Sequence, residues 1–219
     1  PAQLRPRGRA PARRIGLPAR AAEAMVGLAY TLWMGGTLDQ AQEYCTLAMS
    51  YPTLAAKYRA RTMNILAHLR LERNAVEDAI PILEEALALS RAGKAIFEEL
   101  LTLGALAYCL TQQGALDDAR AYFEMVLALA KSAGDDFTYH QNLINIGLLY
   151  LDLDELDRVA DCYAQSIAFY QNHNDRRGMA WSLKLGGLYA HHVHHYPAMH
   201  DAMQRALALH LEAGSLYDA

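Results

Sequence analysis

Gly114-Ala115-Leu116-Asp117-Asp118-Ala119 reads as a short turn, one apolar anchor, two polar residues and a small residue that opens a helix. Gly36-Thr37-Leu38-Asp39-Gln40-Ala41 follows the same template, as do Asn74-Ala75-Val76-Glu77-Asp78-Ala79 and Asp154-Glu155-Leu156-Asp157-Arg158-Val159. Taking Ala41, Ala79, Ala119, Val159 and Met199 as equivalent gives steps of 38, 40, 40 and 40 residues. Seven residues after each come Ala48, Ala86, Val126, Ser166 and Ala206. Two helical turns separate these columns, so they lie on one face. Small side chains there let two helix axes approach closely. Between the columns sits a larger residue: Cys45, Leu83, Phe123, Tyr163 or Met203.

Upstream of each turn lies a second periodic segment, marked by Leu28-Ala29, Leu66-Ala67, Leu106-Ala107, Ile146-Gly147 and Leu185-Gly186. Each repeat is therefore a helix, a tight turn and a second antiparallel helix. One such pair cannot bury its apolar face alone, so neighbours must stack. The rest of the chain agrees. After residue 20 only Pro52, Pro81 and Pro197 remain, and no alternating β-branched runs are bounded by hairpin turns. Ala and Leu dominate, which favours helix. The expected fold class is all-α.

The pattern resembles a tetratricopeptide repeat (TPR) array, most clearly in Asn145-Ile146-Gly147-Leu148-Leu149-Tyr150 followed by Leu156, Val159, Tyr163, Ser166 and Ile167. The usual repeat is about 34 residues; a step of 40 implies longer helices. That length resembles the long-helix subtype of large ATP-dependent bacterial transcription and signalling regulators, as does Ala130-Lys131-Ser132-Ala133-Gly134-Asp135 between repeats. Arg70 stands where a tyrosine is commonest, and His194 where the inter-helix turn usually carries glycine. The resemblance implies a right-handed α-solenoid of about five repeats over residues 18–212. Residues 1–17 are expected to be a basic Pro/Arg-rich linker or the tail of a preceding repeat, and 213–219 the start of a further repeat or a tail. Gly16 and Gly214 sit at junction-like positions, so the chain reads as an internal piece of a larger array whose exposed ends could self-associate.

In such an array the first helix of each repeat lines a concave groove. Helical spacing places Val26, Tyr30, Trp33 and Met34 there from the first repeat, and Arg61, Asn64 and His68 from the second. Tyr108 and Gln112 follow from the third, Gln141, Asn145 and Leu148 from the fourth, and Lys184 from the fifth. Aromatic residues, Met and amides on a concave wall suit protein or peptide recognition. Array modules that clamp acidic chaperone C-termini present Lys and Arg among paired Asn; Asn64, His68, Tyr108 and Asn145 do not form that clamp.

Chemistry is sparsely marked. There is no GxxxxGK[ST], GxGxxG, GxSxG or HExxH. Asp117-Asp118 and Asp135-Asp136 most simply serve helix N-termini. Cys45, Cys109 and Cys162 lack zinc spacing and sit in apolar stretches, which reads as burial in a reducing cytoplasm. His191, His192, His194, His195 and His200 crowd together; His191 and His195 would share one side of a continuous helix, making them the candidate metal ligands. The segment crosses the last inter-helix turn, however, which favours a solvated His-rich turn. Six arginines fall in the first 20 residues, while the remaining 199 carry 14 basic and 24 acidic side chains. That balance argues against nucleic-acid binding by the main body, and no apolar run reaches the length of a membrane span. The expected function is a non-enzymatic, cofactor-free protein- or peptide-binding scaffold in a larger cytoplasmic bacterial signalling or transcription regulator. The alternatives are a small-molecule inducer sensor in such a regulator, using Tyr108, Gln112, Gln141 and Asn145, and a metal site on the histidines.

Overall fold

The computed structural model describes residues 12–212, with side chains from residue 19. Among them are ten helices and no strand: α1 (Ala12–Met34), α2 (Leu38–Met49), α3 (Ala56–Leu71), α4 (Val76–Ala92), α5 (Ile96–Gln112), α6 (Leu116–Ala133), α7 (Asp136–Asp152), α8 (Leu156–Asn172), α9 (Arg176–His192) and α10 (Tyr196–Glu212). Odd-numbered helices are the first of each repeat and even-numbered helices the second. The fold is an all-α, TPR-like solenoid of about five repeats. α1 begins ahead of residue 18 and carries Pro18 within it. Residues 1–11 and 213–219, parts of the terminal segments assigned from sequence, lie outside the described residues.

The helix starts follow the repeat. Second helices open at Leu38, Val76, Leu116, Leu156 and Tyr196, the apolar anchors of the turn template and its fifth copy. Two residues before each stands the one residue of that turn at positive φ: Gly36, Asn74, Gly114, Asp154 and His194. His194 therefore takes the glycine's place in conformation as well as in sequence. Between repeats, Lys94, Gly134 and Asn174 play the same part, 40 residues apart. Gly134 then caps α6, and Asp135 caps α7 by accepting the Thr138 N–H at 3.0 Å. Asp175 caps α9 in the same way through Gly178. Asp117 and Asp118 make no cap; they lie in the first turn of α6, where the helix dipole favours them.

The chain divides into two compact units, 1–102 and 103–219, with the division inside α5. In the first unit α1 packs on α2 and α3 on α4, with α3 also meeting α1 and α2. In the second, α7 pairs with α8 and α9 with α10, while α6 meets α7 and α8 meets α9. Ala41, Ala79, Ala119 and Val159 are fully buried, and so are Ala48, Ala86, Val126 and Ser166 seven residues on. Close approach at Gly147 shows why small residues are needed: a Cβ there would lie 2.6 Å from Leu185 Cδ2 and 3.2 Å from Cys162 Cβ. All three cysteines are buried free thiols. Burial pushes Cys45 up to about 12, and Cys109 and Cys162 up to about 11, so none is a thiolate near neutrality.

Two stability changes test this packing. Replacing Ala86 with Leu should cost about 1–3 kcal/mol by overpacking, seen as a lower urea midpoint. Replacing His194 with Gly should raise stability by about 0.5–1 kcal/mol, because relief of left-handed strain exceeds the added chain entropy. A fall in melting temperature for His194→Gly contradicts the strained turn.

Candidate partner-binding surface

The first helices carry a polar column that pattern reading missed. Thr62, Thr102, Asn142 and Ser182 recur every 40 residues and are all buried. Each donates to the carbonyl four residues back: Tyr58 at 2.8 Å, Glu98 at 2.6 Å, Thr138 at 2.9 Å and Gly178 at 3.0 Å. A short polar side chain is thus satisfied by its own helix. The exact 40-residue recurrence was the signal that could have found it.

In the first unit, most of the expected groove residues tie helices together. Val26 is fully buried and Asn64 nearly so, so neither lines an open surface. Asn64 Nδ2 donates to Thr102 Oγ1 at 2.8 Å and to the Ala60 carbonyl at 3.2 Å. The Arg61 guanidinium pairs with the buried Glu98 carboxylate at 2.5 Å and lies 5.3 Å from the Phe97 ring centroid. Trp33 packs against the core cluster of α1–α3 and stacks on His68 at 4.7 Å. Tyr30, edge-on to Trp33, and Met34 remain exposed on α1. Sequence periodicity put these residues on the correct helices. It could not show that a neighbouring first helix would occupy the same side.

The second unit differs. Tyr108 and Gln112 on α5, Gln141 and Asn145 on α7, and Lys184 on α9 are all exposed. Leu148 is half-buried against the core. α7 packs on α9, and α5 comes close to α7, since a Cβ on Gly104 would meet Asn142 Oδ1 at 3.1 Å. Lys184 Nζ lies 4.7 Å from the centroid of the Trp181 ring, which presents an ammonium over an aromatic face. Among the described residues, nothing takes the Tyr108 hydroxyl or the amides of Gln112, Gln141 and Asn145. A second exposed patch went unread in the sequence. Phe137 and His140 on α7 meet Phe169 on α8 and His173 at its C-cap, with the His140 ring stacked on Phe169 at 3.8 Å. Its spacings, three residues on α7 and four on α8, were visible but had no repeat to flag them.

The histidine-rich segment is broken by its turn. His191 lies in the last turn of α9, while His195 precedes α10 and its Nδ1 accepts the Ala198 N–H at 3.2 Å. Left-handed His194 stands between them, so the four-residue spacing does not lie along one helix. Among the described residues no group of three or more His, Cys, Asp or Glu is placed to hold a metal ion. No described helix is long and apolar enough to cross a membrane.

A family model described as "Tetratricopeptide repeat" matches residues 102–136, which span most of α5, the turn and α6. The chain is similar in structure to aspartyl phosphate phosphatase F from Bacillus subtilis (TM-score 0.75, 17% identity), with 90% of this chain and 51% of that one covered. It is also similar to BtubC (BKLC) from P. vanneervenii (0.67, 16%, 95% of this chain and 94% of that one). A third likeness is a putative kinesin light chain with nearly identical TPR-like repeats from Podosopora anserina (0.64, 14%, 90% and 97%). No curated protein matches the sequence at a significant level. The chain spans about half the length of the Bacillus structure.

The fold is that of a tetratricopeptide repeat array. Within such an array the two units use their first helices differently: the first ties Arg61 and Asn64 to α5, and the second leaves Gln112, Gln141 and Asn145 exposed.

His68 gives this contrast a measurable consequence. Burial lowers its imidazole from 6.5 to about 4, so the fold holds it neutral. The unfolded chain takes up that proton near pH 6.5. The stabilisation is therefore complete above about pH 6.5, declines as pH falls toward 4 and levels off below. Urea midpoints measured from pH 7.5 to 4.5 should fall more for the wild type than for His68→Gln. Parallel curves contradict a neutral, packed His68.

Proposed function

We propose that this chain is a non-enzymatic scaffold module that binds a protein or peptide segment on the first-helix side of its second unit. The observation that carries the reading is the set of exposed, unengaged side chains Tyr108, Gln112, Gln141 and Asn145, with Lys184 exposed on α9. Amides set one helical turn apart on α7 can meet main-chain groups of an extended segment, while Tyr108 offers a rigid aromatic contact. TPR arrays generally bind protein or peptide segments, which supports the same reading. The phosphatase named in the Bacillus structure describes that protein, of which this chain spans 51%.

The 40-residue step and 17-residue helices further support a place in a larger bacterial signalling or transcription regulator of the long-helix kind. The open hollow of about 290 Å³ bordered by Ile167, Met179, Leu183 and Leu209 is mainly apolar. It suits an apolar side chain of a partner better than a polar inducer.

Peptides selected by display on the immobilised chain provide the test. Tyr108→Ala and Asn145→Ala should each weaken such peptides by about 2 kcal/mol, roughly thirtyfold, with unchanged circular dichroism. Lys131→Ala, on α6, should leave binding as it is. Undiminished binding by both first-helix variants places the surface elsewhere.

A further inference from the structure

Because the chain repeats, each junction between neighbouring repeats can be compared with the one before it. α8 and α10 both pack on α9. The hollow of about 290 Å³ lies among these three helices, between Ile167 and Gln171 of α8 and Arg205, Ala208 and Leu209 of α10. Met179 and Leu183 of α9 complete its lining. One repeat earlier, Met179 and Leu209 correspond to Tyr139 and Phe169. There both rings, and Leu127 in the place of Ile167, pack on the core cluster that holds Leu143, the counterpart of Leu183. Two repeats earlier, Gln171 and Met179 correspond to Arg91 and Glu99, which close as an ion pair at 2.8 Å. The hollow therefore belongs to this junction and not to the repeat. It arises where Met and Leu replace two aromatic rings. Its lining sits within one compact unit, on the side of α10 that faces back toward α8.

Size and lining limit what can enter. Pockets for whole small-molecule ligands run to about 300–1,000 Å³ and enclose most of the ligand. A hollow of 290 Å³ that is open to solvent takes one large side chain instead. The volume missing relative to the preceding junction is that of rings, and the flexible thioether of Met179 adapts to an aromatic face. Of the described residues that border the hollow, Arg205 alone is charged. Its bond to Asp201 spans 3.3 Å between side chains that are both more than half exposed. Such a pair contributes little, so the guanidinium can turn to an incoming carboxylate and hold it with two N–H donors. Gln171, exposed at the same mouth, offers an amide to the main chain of the segment.

We propose that this hollow is a docking site for a partner segment that carries a Phe or Tyr with an Asp or Glu within two residues of it. The ring seats against Ile167, Met179 and Leu183, and the carboxylate pairs with Arg205. The proposal rests on the reading of the chain as a peptide-binding array and adds to it a second contact, walled by second helices.

Peptide display on the immobilised full chain tests this, with every clone counter-screened on a variant whose hollow is filled. Met179→Tyr with Leu209→Phe copies the preceding junction into this one. Among clones that prefer the wild type, an aromatic residue with a nearby acid should dominate. A synthetic peptide of the leading sequence should bind at least tenfold more weakly to the filled variant and to Arg205→Glu. Replacing its aromatic residue with Ala should cost as much. Tyr108→Ala and Asn145→Ala should leave its affinity unchanged. Ala208→Trp, at an exposed position on the rim, serves as the blocking variant if the double substitution alters the circular dichroism spectrum. The proposal is overturned if no clone distinguishes the two chains, if those that do lack the aromatic and acidic pair, or if Arg205→Glu has no effect. Peptides weakened by Tyr108→Ala but not by filling belong to the first-helix surface; they overturn the hollow and leave the earlier reading standing. Self-association that disappears on filling marks a second copy as the occupant and overturns it too.

Discussion

Everything in this fold depends on two helices of a repeat being able to touch at a small residue. Ala41, Ala79, Ala119 and Val159 are fully buried at equivalent points, and a second small column follows two turns later. With axes that close, larger side chains between the columns, such as Leu83 and Phe123, reach past the partner into the shared core. A single pair has too little apolar surface to remain folded, so stacking follows from the same constraint. The left-handed turn residue is its geometric companion: it reverses the chain within a few residues so that the second helix starts in register.

That constraint explains how the first helices treat polar groups. Their sides face neighbouring repeats, where an unpaired hydroxyl or amide would be costly. Thr62, Thr102, Asn142 and Ser182 meet it by bonding to their own helix, and the Asn64 Nδ2 by also reaching Thr102, while the buried Asn64 Oδ1 has no partner among the described residues. Arg61 and Glu98 meet it as a charge pair beside the Phe97 ring. A polar residue on such a helix is therefore no sign of a binding surface by itself. It gains that meaning only when exposed and unengaged, as Gln141 and Asn145 are.

Sequence reading reached the architecture because architecture is periodic. A step near 40 residues, read from turn templates, placed every second-helix start at its apolar anchor and identified the turn role of His194 despite its side chain. The candidate surface was only partly legible. Tyr30, Met34, Tyr108, Gln112, Gln141, Asn145 and Lys184 are exposed as spacing suggested, whereas Val26 and Asn64 are not. The difference is tertiary. Helical period gives the direction of a side chain from its own axis, but not whether the next first helix lies close enough to cover it. For Asn64 it does, and Thr102 is the contact. The His191–His195 spacing failed for a related reason, since a four-residue interval has helical meaning only on an unbroken helix.

Departures from the repeat consensus carry the remaining information. Glycine at the inter-helix turn would serve folding best, yet Asn74, Asp154 and His194 occupy three of five such places. Asn and Asp tolerate left-handed backbone because their short polar side chains bond locally; at His194 the local contact is longer, ring Nδ1 to the Tyr196 hydroxyl at 3.3 Å. Lys94 introduces left-handed strain between repeats, in the unit whose first helices are most tightly tied by side-chain bonds. An array can carry such local costs because each repeat is held by its neighbours on both sides. The interior repeats tolerate them more readily than the outer helices, which have one described neighbour fewer.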